Sequence, residues 1–188
     1  MFIQTEQTPN PLTLKFLPGR VVMEEGTVFY KNISETNNSP LAKRMFSVDG
    51  VNGVFFGSDF ITITKQEEID WQVLKPIVLS SIMDHYKSGD KTIINQNENK
   101  NLNSLEKNKN DTELDIQIKE LLDTRVRPAV AMDGGDIVYH KFEDGVVYLH
   151  MQGSCAGCPS STATLKMGIE NMLKHYVPEV KEVRSSDG

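Results

Sequence analysis

MDGGDIVYHKFEDGVVYLHMQGSCAGCPSSTATLKM, residues 132–167, reads as a helix end, two strands, a thiol-bearing loop and the start of a second helix. Gly134 or Gly135 suits the left-handed residue that closes a helix. IVYHKF and VVYLHMQ are β-branched and aromatic runs. They are joined at Glu143-Asp144-Gly145, which marks a hairpin. Pro159 then opens a helix at the position where a missing N–H costs least. Cys155 and Cys158, the only two cysteines of the chain, fall in the loop between that strand and that helix.

Upstream, Asp111 or Thr112 is placed to cap a helix that turns Leu114, Ile118, Leu121, Leu122 and Val126 inward. Pro128 either kinks that helix or starts a second turn. Downstream, Leu165, Ile169, Met172, Leu173 and Tyr176 share one helical stripe. Lys166, Glu170 and Lys174 form its solvated side, with pairs at i,i+4. Val177-Pro178 stops the helix, and EVKEVR supplies a last strand. The order is α-β-β-α-β.

The first part of the chain predicts a second small unit. FIQTE and LTLKFLP read as strands parted by TPNP, and SPLAKRMFSV reads as a short helix opened by Ser39-Pro40. VNGVFFGSDFITITK is a hairpin around Gly57-Ser58. Asp70 caps a helix with Trp71, Leu74, Val78 and Ile82 on one face, and Pro76 inside it should bend it. No catalytic cluster is visible there. Trp71 reads as core, and His85 as a helix-end residue rather than a ligand.

The two parts are separated by SGDKTIINQNENKNLNSLEKNKND, residues 88–111, a stretch rich in Asn and Lys without an aromatic side chain. It cannot bury enough apolar surface to offset the entropy of ordering, so it reads as a flexible linker. The expected class is α/β (α+β): two small domains, residues 1–88 and 112–188, joined by residues 89–111. Net charge is −6, and residues 111–188 hold eight basic and thirteen acidic side chains, a net of −5. No basic block appears, which disfavours a nucleic-acid partner. No apolar run reaches the roughly 20 residues that span a bilayer, so no membrane is expected. The N-terminus shows no secretory or Arg-rich leader. A cytoplasmic (bacterial) protein fits, as does the processed form of a mitochondrial matrix protein.

A helix N-terminus stabilises thiolates, so both cysteines are expected to have lowered pKa values. Gly153, Ala156 and Gly157 keep the loop free of bulk. Both features suit a redox dithiol, and both suit metal ligation. Structural zinc and cubane iron–sulfur sites want about four protein ligands, and one chain offers two thiols. His140 and His150 lie ten residues apart across a turn and read as ordinary strand residues. Two chains about a two-fold axis bring together a complete Cys₄ set. Thioredoxin-like redox loops sit in a longer sheet that starts β-α-β, which differs from this order. A dithiol–disulfide oxidoreductase, a zinc-bridged dimer and an inert pair stay open on the residues alone.

RPAVAMDGGDIVYHKFEDGVVYLHMQGSCAGCPSSTATLKMGIENMLKHYVPEVKEV resembles the C-terminal domain of NifU and the Nfu-type proteins. MDGGD, GSCAGCPSSTATLKMGIE and VPEVKEV carry most of that likeness. TEQTPNPLTLKFLPG, SPLAKRMFSVDGVNGVFFGSDFITITK and DWQVLKPIVLSSIMDHY resemble the Nfu N-terminal domain. The resemblance implies an iron–sulfur cluster scaffold or carrier rather than an enzyme. It implies that Cys155 and Cys158 bind a 4Fe-4S cluster, with 2Fe-2S as the other type, between the two subunits of a homodimer. The implied partners are the donor machinery and apo iron–sulfur enzymes such as lipoate synthase or aconitase-like targets. The N-terminal domain would serve partner recognition. The NifU scaffold domain with its own cysteines is lacking, so carriage fits better than building a cluster de novo.

Overall fold

The computed structural model describes residues 1–94, 110–157 and 159–186. Most of the segment read as a linker, and Cys158, lie outside the described residues. The chain divides into two compact units, Met1–Ser104 and Leu105–Gly188.

In the first unit, five antiparallel strands lie in the order β1 (Gln4–Gln7), β2 (Thr13–Leu17), β5 (Ile61–Lys65), β4 (Val51–Phe56), β3 (Val28–Tyr30). Alternation puts Leu14, Phe16, Val54, Phe56, Ile61 and Ile63 on one face. That face packs on helices α1 (Pro40–Phe46) and α2 (Trp71–Ser88) through Leu41, Met45, Leu74, Val78 and Ile82. Each such side chain contributes about 1.5–3 kcal/mol by leaving water. The caps are those the sequence predicts. The Ser39 hydroxyl accepts the Ala42 N–H at 3.1 Å, and the Asp70 carboxylate accepts the Gln72 N–H at 2.8 Å. Trp71 packs against this core and donates its indole N–H to the Pro11 carbonyl at 3.1 Å. The helix continues through Pro76. His85 lies in the last turn of α2, as expected of a helix-end residue. It is fully buried, and neither ring nitrogen has a hydrogen-bond partner among the described residues. Beyond Gly89 the chain returns to the unit: Ser39 donates its hydroxyl to Thr92, and the Ile94 N–H donates to Asn38.

The second unit follows the predicted α-β-β-α-β order, with one irregularity. The Thr112 hydroxyl and the Asp115 carboxylate form a reciprocal cap at the start of α3 (Glu113–Leu121). Pro128 cannot donate to the carbonyl one turn back. The helix widens into a π turn at Leu122–Val126, then restarts as α4 (Arg127–Met132). Gly134, at φ 82°, ends it. Strands β6 (Gly135–Glu143) and β7 (Val146–Gly153) pair antiparallel, and β8 (Glu182–Ser185) adds parallel to β7 after α5 (Pro159–Tyr176). Asp144 and Gly145 both have positive φ, which the twist of a tight hairpin requires. Ile137, Val147, Leu149 and Val183 meet Ile118, Leu122, Ile169 and Leu173 in the core. Tyr176, placed by periodicity on the buried stripe, is 40% exposed, with the Arg125 guanidinium 4.7 Å from its ring centre.

Candidate metal centre

Cys155 stands in the turn between the end of β7 and the start of α5. Its N–H donates to the Gln152 carbonyl at 3.3 Å, and its carbonyl accepts the Thr162 hydroxyl at 3.1 Å. The neighbouring Ser154 ties this turn to the MDGGD turn. Its N–H donates to the Gly134 carbonyl at 3.2 Å and its hydroxyl to the Asp133 carbonyl at 2.6 Å. The two most recognisable motifs of the sequence are therefore two sides of one buckle.

The thiol faces inward, with Cys155 only 7% exposed and packed with the second core. Gly135 makes this possible. A methyl group on its α-carbon falls 2.5 Å from Cys155 Sγ, closer than atoms can approach. Burial pushes the Cys155 thiol up to about 12. The carboxylates of Asp136 and Asp133 add to that rise, and the Ser154 hydrogen bond opposes it. The expectation of a lowered pKa is thus overturned at Cys155. The helix-terminus argument assumes a sulfur open to the N–H groups and to water, whereas this one is desolvated. On the other side of the turn, Gly157 is exposed at φ +75°, with no atom within 4 Å of where a side chain would begin.

Behind the buckle lies a charge pair that sequence reading missed. Arg127 holds Asp136 with two hydrogen bonds, Nε–Oδ1 at 2.8 Å and Nη2–Oδ2 at 2.7 Å. It also reaches Asp123 at 3.1 Å. The Asp136 side chain is 4% exposed. Hydrogen bonding to Asp136 holds the Arg127 guanidinium above its ordinary range, and burial opposes it. The pair spans a helix, a turn and a strand, so no sequence period announces it. The pair ties α4, which follows the π turn, to the first residues of β6.

His140 and His150 do not join the cysteine turn. They stack on each other instead, with ring centroids 4.6 Å apart. Among the described residues, no three His, Cys, Asp or Glu side chains gather where they could hold one metal ion. Nor is any helix of the described residues long and apolar enough to cross a membrane.

Two α+β units, the second with a thiol turn between a hairpin and a helix, define the class. Residues 3–89 match the N-terminal domain of the scaffold proteins Nfu/NifU, and residues 118–184 match the NifU-like domain. The chain belongs to this Nfu/NifU family. The human NFU1 iron-sulfur cluster scaffold homolog, mitochondrial, is 50% identical over 184 residues, covering 97% of this chain and 71% of that protein. NifU-like protein 4, mitochondrial, of Arabidopsis thaliana is 51% identical over 185 residues, 97% of this chain and 65% of its own. The Drosophila sechellia NFU1 homolog is 53% identical over 184 residues, again 97% of this chain and 64% of that one. The chain thus spans about two thirds of the length of these relatives. The solution structure of a NifU-like protein from Saccharomyces cerevisiae aligns at 30% identity with a TM-score of 0.45, over 50% of this chain and 84% of that one.

Proposed function

We propose that the chain is an iron–sulfur cluster scaffold and carrier. The cluster is its cargo, and Cys155 and Cys158 are the ligands. Relatives at about half identity over nearly the whole chain are named as iron–sulfur cluster scaffolds, not as enzymes. Their names carry the word mitochondrial, and we extend a matrix location to this chain as the favoured reading. Thiolates are the donors that iron–sulfur clusters take. Two thiols per chain against four protein ligands call for a second copy, so the cluster is shared across a two-fold axis; the family resemblance favours 4Fe-4S, with 2Fe-2S as the alternative. Clients are apo iron–sulfur proteins, filled by exchange of their thiolates for those of the carrier. Residues 1–88 recognise partners, and residues 89–111 tether them to the cluster unit at residues 112–188.

The structural observation that carries this reading, beside the relatives, is the place of Cys155 in the turn between β7 and α5. A thiol with a pKa near 12 is protonated at neutral pH. Loading the cluster must release that proton and draw the sulfur out of its packing. Unloading lets it return, so burial of the free thiol favours giving the cluster up.

Anaerobic reconstitution with iron and sulfide tests the proposal. The expected product is a brown dimer with about two irons and two sulfides per chain, four of each per Cys₄ site, and a Mössbauer spectrum of a cubane. Cys155→Ala and Cys158→Ala should each abolish it. A single-cysteine variant that retains a full, stable cluster would sink the reading.

A further inference from the structure

His140 and His150 meet on the open face of the three-stranded sheet. The register sets Val138 opposite His150, and the ladder then shifts between Tyr139 and Lys141. His140 is the extra residue of that bulge, which turns its ring over the neighbouring strand toward His150. The rings lie 4.6 Å apart by their centroids with planes 23° apart.

Their Nδ1 atoms are both engaged by one residue at the end of β8. His150 Nδ1 lies 2.8 Å from the Ser186 carbonyl, and His140 Nδ1 lies 2.9 Å from the Ser186 hydroxyl. A carbonyl only accepts, so His150 carries a proton on Nδ1, which leaves Nε2 as the nitrogen that can ligate. The hydroxyl can accept the proton of His140 in the same way. A ring that donates Nδ1–H to a carbonyl while Nε2 remains free is the arrangement that metal-binding histidines adopt. His150 is held in that arrangement before any metal arrives; His140 is held by the same residue through a hydroxyl that can donate or accept. His140 is exposed, so water can fill the other coordination positions. Burial, His150 and Lys141 all depress the pKa of His140, which keeps it neutral and able to ligate near pH 7.

We propose that His140 and His150 form a binding site, through their Nε2 atoms, for a divalent transition-metal ion of the imidazole-preferring class: Ni²⁺, Cu²⁺ or Zn²⁺. The site is separate from the cysteine turn, and the inference does not rest on the cluster reading. Imidazole suits these ions, and two imidazoles on one rigid sheet bind as a chelate. Metal–nitrogen distances of about 2.0–2.1 Å put two adjacent ligand nitrogens about 3 Å apart. The rings are stacked, so to share one ion the exposed His140 ring must turn out of its stacked position and give up its contact with the Ser186 hydroxyl.

The test is calorimetric titration of Ni²⁺ into the full chain carrying Cys155→Ser and Cys158→Ser, so that no thiol competes. One Ni²⁺ per chain is expected. Adding His140→Gln or His150→Gln should weaken binding about 100-fold, the advantage of a second tethered ligand, and His175→Gln should leave it unchanged. Absence of binding, or equal affinity in the His140→Gln chain, overturns the proposal. The unaltered chain offers a second readout that does not depend on the serine background. Ni²⁺ should broaden the ring signals of His140 and His150 before that of His175 by NMR, and the reverse order overturns the assignment.

Discussion

Gly135→Ala adds one methyl group where the fold leaves room for a hydrogen atom. The new carbon lands 2.5 Å from Cys155 Sγ, 2.8 Å from the Gln152 carbonyl oxygen and 3.0 Å from the Cys155 nitrogen. Rotating the thiol away relieves only the first contact. The other two are with backbone atoms, fixed by the β6–β7 ladder that pairs Gly135 with Gly153 and Asp136 with Gln152. The strand end and the cysteine turn must therefore separate. Overpacking of this kind costs about 1–3 kcal/mol, and for a unit of this size each kcal/mol lowers Tm by about 4–8 °C. The same displacement exposes the sulfur, so iodoacetamide should label Cys155 faster, read at that residue by peptide mass spectrometry. The control is the same chemical change in an open position. Gly168 lies exposed in α5 with nothing within 4 Å, and Gly168→Ala gains helix propensity of about 1 kcal/mol. The two glycine-to-alanine changes should move Tm in opposite directions. A Gly135→Ala chain that melts with its parent and keeps Cys155 equally protected would refute the packing argument.

Other outcomes follow from the buried charges. Asp136→Leu leaves Arg127 with Asp123 as its remaining carboxylate and should cost about 3 kcal/mol by urea unfolding. Adding Arg127→Met to it should recover part of that loss, since a buried pair is costly mainly when half of it is removed. His85 concerns acid stability. Burial holds its folded pKa below the ordinary value, with Asp90 opposing and Arg44 adding. Above pH ~6.5 the ring is neutral in both states; as pH falls below ~6.5 the unfolded chain takes up the proton first, and stability is lost. Urea unfolding of the first unit should weaken between pH 7 and 5, and His85→Leu should flatten that slope. An unchanged slope in the variant would assign the acid sensitivity elsewhere.

Much of the fold is legible in the sequence because its signals are local. Ser39, Asp70 and Thr112 cap helices through atoms two or three residues away. Asp144-Gly145 sets a hairpin through its own dihedral angles. Strand β3 and the π turn escaped notice for opposite reasons. Three residues are too few to show alternation, and the π turn arises where one proline competes with a helix that is otherwise well formed.

The candidate site divides the same way. Sequence by itself determined that two thiols fall between a strand and a helix, since that follows from composition and local periodicity. Only the tertiary structure decided the state of Cys155. Desolvation depends on atoms brought in from elsewhere in the unit, and Gly135, Asp133 and Asp136 reach that sulfur through space rather than along the chain. The pairing of His140 with His150 has the same origin. A one-residue bulge decides whether two rings ten positions apart meet or diverge, and a bulge is a property of the ladder between two strands, not of either strand alone.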